Sequence, residues 1–202
     1  TATAYGDYVC IGNGTVMEIL NVHTMQPVGE LVTESIVSNI AIAGTYAYIA
    51  NWSDGFKVID ISDPTDPTLA AQISFEGQCW DLSIYEDLVY LGNDLDGLQI
   101  IDISNPLLPT ITGSFLPDPA VGFEYTQVID TLAYAATKQG LYILDVSDPS
   151  NPVALGFSAS EFGSFRVHVV DSVAYLPESA AGIRMINVTD PTTPVEIGLF
   201  PT

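Results

Sequence analysis

The chain has 202 residues, 48% of them hydrophobic, and 25 acidic residues against four basic ones give a net charge of −21. That composition excludes a disordered chain, and the length suits one sizeable domain with its own core. No apolar run approaches the roughly 18 residues of a membrane span, and so negative a surface repels nucleic acid and anionic lipid.

In chain order, the first predicted element is a strand around Thr3-Ala4-Tyr5. A degenerate unit follows, with a short Gly12-Asn13-Gly14 hairpin, a strand through Ile19-Leu20-Asn21-Val22 and a turn at His23-Thr24-Met25-Gln26-Pro27. The second unit is complete. Asn39–Ala43 alternates and is β-branched, as a strand should be. Gly44-Thr45 turns the chain into the strand Tyr46–Ala50. Asn51-Trp52-Ser53-Asp54-Gly55 is a hairpin with glycine where positive φ is commonly needed. Phe56–Ile61 is the third strand, Ser62–Pro67 a turn, and Leu69–Ser74 the fourth strand. Ser and Asp side chains in that turn can accept backbone N–H groups. Pro64 ends the third strand, and Pro67 guards the outer edge strand.

Three more copies follow: Gly97-Leu98-Gln99-Ile100-Ile101-Asp102-Ile103-Ser104-Asn105-Pro106, Gly140 through Asp145-Val146-Ser147-Asp148-Pro149, and Gly182 through Asn187-Val188-Thr189-Asp190-Pro191. With Gly55 these glycines lie 42, 43 and 42 residues apart. Such a period with strand content predicts an all-β propeller of five four-stranded antiparallel blades, about 42 residues each. The blades fall near 1–35, 36–77, 78–119, 120–161 and 162–202, in one domain. The chain starts with an innermost strand and ends with an outermost one, Val195–Phe200, so closure would rest on packing between blades one and five. A self-contained five-bladed ring is expected, with five blades of a larger ring as the alternative. Beginning at Thr1, the chain reads as a processed product or as part of something longer.

The units resemble the LVIVD repeat, in which Gly-Leu-x-Ile-x-Asp-Val-Ser-Asp-Pro-x-x-Pro follows a Tyr-Val-Ala-type strand. The likeness is greatest over Gly97–Pro109 and Gly140–Pro152 and extends across about residues 36–200. Tyr48, Tyr90, Tyr134 and Tyr175 take the family's strand-end tyrosine. The resemblance implies a β-propeller of a bacterial or archaeal surface or secreted protein, hence an extracellular or cell-surface location, and implies no particular activity.

Aligning the units places Asn39, Asp81, Tyr125 and Arg166 in one innermost-strand column and Ala41, Ser83, Gln127 and His168 in the next. These positions vary while the frame repeats, so they are the candidate channel or ligand-binding residues. The loops between strands two and three, and between blades, share one face. They carry Trp52, Asp54, Glu34, Glu76, Trp80, Glu124, Glu161 and Asp118, together with the 178–181 hairpin, so an acidic aromatic face is expected. Asn93-Asp94-Leu95-Asp96-Gly97 is the best calcium fragment, with Asp94 and Asp96 as ligands, but it lacks the ligand ladder of an EF-hand, and turn geometry is the better explanation of its Asp. The acid excess fits either salt adaptation and solubility or a cation-related role.

Nucleophile-elbow, zinc-protease and phosphate-loop motifs are absent, and His23 and His168 are too few for a histidine metal cluster. Cys10 and Cys79 fall in units one and three, which predicts two buried free thiols. Among the Asn-x-Ser/Thr sites at Asn13, Asn51 and Asn187, Asn51 lies on an expected exposed hairpin. The reading is a non-catalytic extracellular or surface propeller that engages a protein partner, or itself, through its acidic loop face, with no cofactor required. One alternative is a carbohydrate or small-ligand binder using Trp52, Trp80 and the Asp81/Arg166 pair. Another is a hydrolase or lyase drawing paired carboxylates from Asp81, Glu76 and Glu124.

Overall fold

Strand-forming segments alternate with Gly, Asp and Pro turns along the whole chain, and each run of four folds back on itself as an antiparallel sheet. The computed structural model describes residues 1–117, 121–178 and 181–201; Asp118, Ser179 and Ala180 of the loops named above lie outside the described residues. Blade one is β1 (Ala2–Tyr5), β2 (Tyr8–Asn13), β3 (Val16–Asn21) and β4 (Gln26–Val32). Blade two is β5 (Asn39–Ala43), β6 (Tyr46–Ala50), β7 (Phe56–Asp60) and β8 (Thr68–Ile73). Blade three is β9 (Cys79–Tyr85), β10 (Leu88–Asn93), β11 (Gly97–Asp102) and β12 (Thr110–Phe115). Blade four is β13 (Phe123–Ile129), β14 (Leu132–Thr137), β15 (Gly140–Asp145) and β16 (Val153–Ala159). Blade five is β17 (His168–Val170), β18 (Val173–Glu178), β19 (Gly182–Asn187) and β20 (Val195–Phe200). The strand order within each sheet follows the chain, so the five-bladed, four-stranded reading holds.

The repeated turn works through its aspartates. Asp60, Asp102 and Asp145 each accept the backbone N–H two residues on, at 2.8–2.9 Å, which holds the chain as it leaves the third strand. Asp63, Asp148 and Asp190 do the same one step later in the turn, at 2.9–3.0 Å. Gly55 takes φ 81°, as its hairpin requires.

The third strands of blades two, three and four are buried on both faces because each lies between two neighbouring blades. Blade two shows the pattern. Its Ala47, Ile49, Ile59 and Ile61 pack on Cys10, Met17 and Ile19 of blade one. Its Tyr48, Ala50, Phe56 and Val58 pack on Val89, Leu91, Ile101 and Ile103 of blade three. Equivalent cores join blades three and four through Tyr90, Leu98, Ala133 and Leu144, and blades four and five through Tyr134, Leu141, Ala174 and Ile186. A fourth-strand glycine tightens three of these junctions: a Cβ on Gly29, Gly113 or Gly156 would collide with the carbonyl oxygen of Pro64, Pro149 or Pro191 in the next blade. Among the described residues no apolar core joins blade five to blade one, so the expected ring-closing packing is not present. Val22 is exposed where its counterpart Ile103 is buried, and Tyr175 is 37% exposed where Tyr90 is 2%.

Cys10 and Cys79 are both free and buried, as expected, in two different inter-blade cores. Burial pushes their thiols up to about 11 and about 12, so neither is a reactive thiolate at neutral pH.

Candidate functional site

Strand register gives the column residues their places. Asn39, Asp81 and Tyr125 pair with Ala50, Gly92 and Ala136, and Arg166 lies just ahead of β17. Ala41, Ser83, Gln127 and His168 lie opposite the second-strand tyrosines Tyr48, Tyr90, Tyr134 and Tyr175. From these residues a three-blade cluster forms. Arg166 of blade five reaches back to Asp81 of blade three, Nη2 to Oδ2 3.2 Å, and passes 5.3 Å from the ring centre of Tyr125 in blade four. Asp81 is 8% exposed and Arg166 60%. Burial pushes the Asp81 carboxyl up to about 7, against the pull of Arg166 and the Leu82 N–H. The solvated guanidinium is too well screened to offset that burial. Gln127 is spent on structure: its side chain accepts the Val169 N–H at 2.8 Å, tying blade four to β17. His168 is exposed and Asn39 half-buried, and neither joins the cluster. The Ser83 hydroxyl is buried without a hydrogen-bond partner among the described residues.

Beside this cluster lie the two tryptophans. The hairpin of blade two leans onto β9 through a bridge between Trp52 and Cys79, which brings Trp52 edge-on to Trp80, ring centres 6.4 Å apart. Trp52 donates its indole N–H to Gln78 at 2.7 Å, whereas the Trp80 N–H is buried without a partner among the described residues. Lys138 lies 5.7 Å over Trp80 and 3.3 Å from the buried Glu124 carboxylate, whose pKa burial raises and Lys138 lowers.

The charges of this face differ from the expected bare acidic surface. Asp54 pairs with Lys57 at 2.7 Å, and Glu178 pairs with Arg184 at 2.7 Å. With Asp81–Arg166 and Glu124–Lys138, all four Lys and Arg residues of the chain are engaged on the loop face. Glu34, Glu76 and Glu161 remain exposed there. Most of the unbalanced acid lies on the opposite face, where strands one and two, and three and four, are joined. It carries Asp7 in blade one; Asp60, Asp63 and Asp66 in blade two; Glu86, Asp87 and Asp102 in blade three; Asp130, Asp145 and Asp148 in blade four; and Asp171 and Asp190 in blade five, with no Lys or Arg. Turn chemistry explains this placement, since Asp is needed there for backbone geometry and no cation is.

Asp94 and Asp96 serve the hairpin. The Asp94 carboxylate accepts the Gln78 N–H, and Asn93 accepts the N–H groups of Leu95 and Asp96 at 2.8 and 2.7 Å. Among the described residues no three Asp, Glu, His or Cys side chains converge in a metal-sized group. Asn51 is a correction: it is fully buried, and its amide donates to the Ser35 carbonyl at 2.7 Å, so the folded chain cannot present it for glycosylation. The Glu178–Arg184 pair, joined by Ser160 donating to Glu178 at 2.6 Å and by Arg184 donating to the Ala159 carbonyl at 2.6 Å, was not anticipated. Its signal was a double exchange within one unit. Arg184 replaces the Lys57, Gln99 and Tyr142 of other blades, and Glu178 replaces Asn51, Asn93 and Thr137.

The LVIVD repeat profile matches residues 36–74, 76–116 and 127–157, more than half of the chain. This protein belongs to the LVIVD repeat family. No curated protein matches its sequence. Among solved structures it is similar to the β-propeller domain of Cps50 (Swd1) from Myceliophteria thermophila, with a TM-score of 0.75 and 12% identity over 100% of this chain and 75% of that one. It is also similar to the computationally designed Ika8 protein, TM-score 0.76 at 11% identity, covering 95% of this chain. BamB from Moraxella catarrhalis superposes with TM-score 0.70 at 14% identity, covering 96% of this chain. The LVIVD chain spans 58% of the length of Ika8 and of BamB. Identities this low establish the propeller fold alone.

Proposed function

We propose that this LVIVD propeller is a non-catalytic interaction module, extracellular or on the cell surface, that binds a protein partner through its loop face. The contact would centre on Trp52, Trp80, Tyr125, Lys138 and Arg166 rather than on bare carboxylates. One observation carries the reading: Asp81 and Glu124 are buried, each is held by a cation that is itself 60% or 58% exposed, and each cation lies against an aromatic ring. Arg, Tyr and Trp are the residue types that dominate binding energy at interfaces, and here they stand over a fixed charged base. The extracellular setting rests on the family resemblance, and surface labelling of intact source cells tests it. The binding reading is tested by capturing partners from the source's secreted fraction on wild-type protein and on a Trp80→Ala/Arg166→Ala variant. The variant should bind the captured partner about 10- to 100-fold more weakly. Equal affinity would move the contact off this face.

A second reading, a carbohydrate or small polar ligand, is favoured by the buried Trp80 N–H and Ser83 hydroxyl without partners. A sugar hydroxyl could satisfy either. Quenching or a blue shift of tryptophan fluorescence with a glycan-array hit would support it, and silence in both would end it.

A further inference from the structure

Each blade has a face toward the preceding blade and a face toward the next, and the two halves of a junction repeat along the chain, with Ala71 of blade two the one departure from the fourth-strand glycine. On the forward face of blade three, Tyr90 is 2% exposed and Leu98 0%, and Gly113 receives the Pro149 carbonyl of blade four. Blade five carries the same forward-face positions uncovered. Tyr175 is 37% exposed and Ile183 38%, and a Cβ on Gly198 would meet, among the described residues, only the methyl of its own Met185.

We infer that the forward face of blade five is a docking surface for a further blade of the LVIVD type, one that carries the complete Asp-Pro turn. The glycine identifies the occupant. Gly29, Gly113 and Gly156 leave room for a proline-turn carbonyl from the next blade, and Gly198 keeps that notch with, among the described residues, no carbonyl seated in it. An outer strand open to solvent has no need of glycine, which weakens a strand interior. A second copy of this chain would offer the rear face of its blade one. There the connection between β3 and β4 is only Val22–Met25, without the Asp-Pro that fills the Gly29, Gly113 and Gly156 notches. The arc also superposes over its full length on three-quarters of the Cps50 propeller chain, which leaves a quarter of that chain unmatched.

The test keeps residues 1–202 whole and appends a second copy of residues 36–77, which contain blade two and the Asp63-Pro64 turn that fills the Gly29 notch, after the C-terminus. Amide exchange is followed at Ile183 and Met185. The appended blade should slow it by at least about tenfold. Shortening the appended turn to the length of Val22–Met25, or Gly198→Val in the recipient, should remove that protection. In the chain without an appended blade, Gly198→Val should leave the thermal midpoint within about 2 °C of wild type while Gly113→Val lowers it by about 5 °C or more. Three results would each overturn the inference: no protection, protection indifferent to both changes, or a Gly198→Val loss equal to that of Gly113→Val. Self-association of residues 1–202 that protects Ile183 would assign the face to a second copy instead.

Discussion

The two faces of the propeller hold their carboxylates by opposite means. On the turn face, Asp60, Asp102, Asp145 and Asp190 are solvated, and each is anchored by hydroxyl and backbone N–H donors that lower its pKa. On the loop face, Asp81 and Glu124 are anchored by cations, yet burial raises their pKa. Local hydrogen bonding favours the charged form without removing water, whereas a long-range ion pair costs both partners their solvent. The turn face is therefore a repeated element that any blade can carry. The loop-face pairs exist once each, and Asp81–Arg166 needs blades three and five to place it.

The widest gap between the faces should open at Glu178. Arg184→Ala leaves that carboxylate buried beside Ser160 without its cation, and should cost about 3–5 kcal/mol in denaturant unfolding. A loss under about 1 kcal/mol would mean that water already reaches the pair.

Asp81 gives the next largest effect, with the opposite sign at high pH. Its folded pKa of about 7 lies above the unfolded value near 4, so its contribution is fully present below pH 4 and is lost as pH rises through 7. Asp81→Asn should remove that slope and, at pH 8, match or exceed wild type by roughly 1–3 kcal/mol. A less stable Asn variant at pH 8 would show that the Arg166 contact outweighs burial.

The turn face should respond more weakly and in the other direction. Its aspartates have lowered pKa values, so their contribution holds above the unfolded value and disappears as pH falls. Asp102→Ala should cost about 1 kcal/mol, while Asp102→Asn, which keeps an acceptor for the Ser104 N–H, should keep most of the stability and lose the acid-range slope. Equal losses in both variants would show that charge, not the acceptor, holds the turn.

The smallest effect is that of salt. Raising ionic strength should screen the unbalanced turn face and lift the midpoint by a few degrees, and the Arg184→Ala variant should gain no less than wild type. A midpoint that falls with salt would mean the exposed ion pairs outweigh that repulsion.

Much of this architecture was legible because it is written five times. The glycine period, the alternating strands and the Asp-Pro turns needed only local chemistry. What was not legible depends on distance. Repeat alignment already puts Asp81 and Arg166 in one column, whereas Lys138 finds Glu124 only when a hairpin folds over β13. The loop face looked bare because that pairing leaves no trace in spacing. Asn51 looked exposed because it opens a hairpin, but in the fold it tucks under the Thr33–Ser35 segment of the preceding loop. The uncovered forward face of blade five was invisible for a simpler reason. Its residues match those of buried faces, and pattern reports what a surface suits, not what covers it.

The two cysteines lend the fold a ready means of timing its own opening. Cys10 sits in the seam between blades one and two, and Cys79 in the seam between blades two and three. Neither thiol can react until its seam parts, so the alkylation rate at each clocks one joint independently of the other. An array that unzips from its first blade would label Cys10 well ahead of Cys79, and one that lets go all at once would label both together.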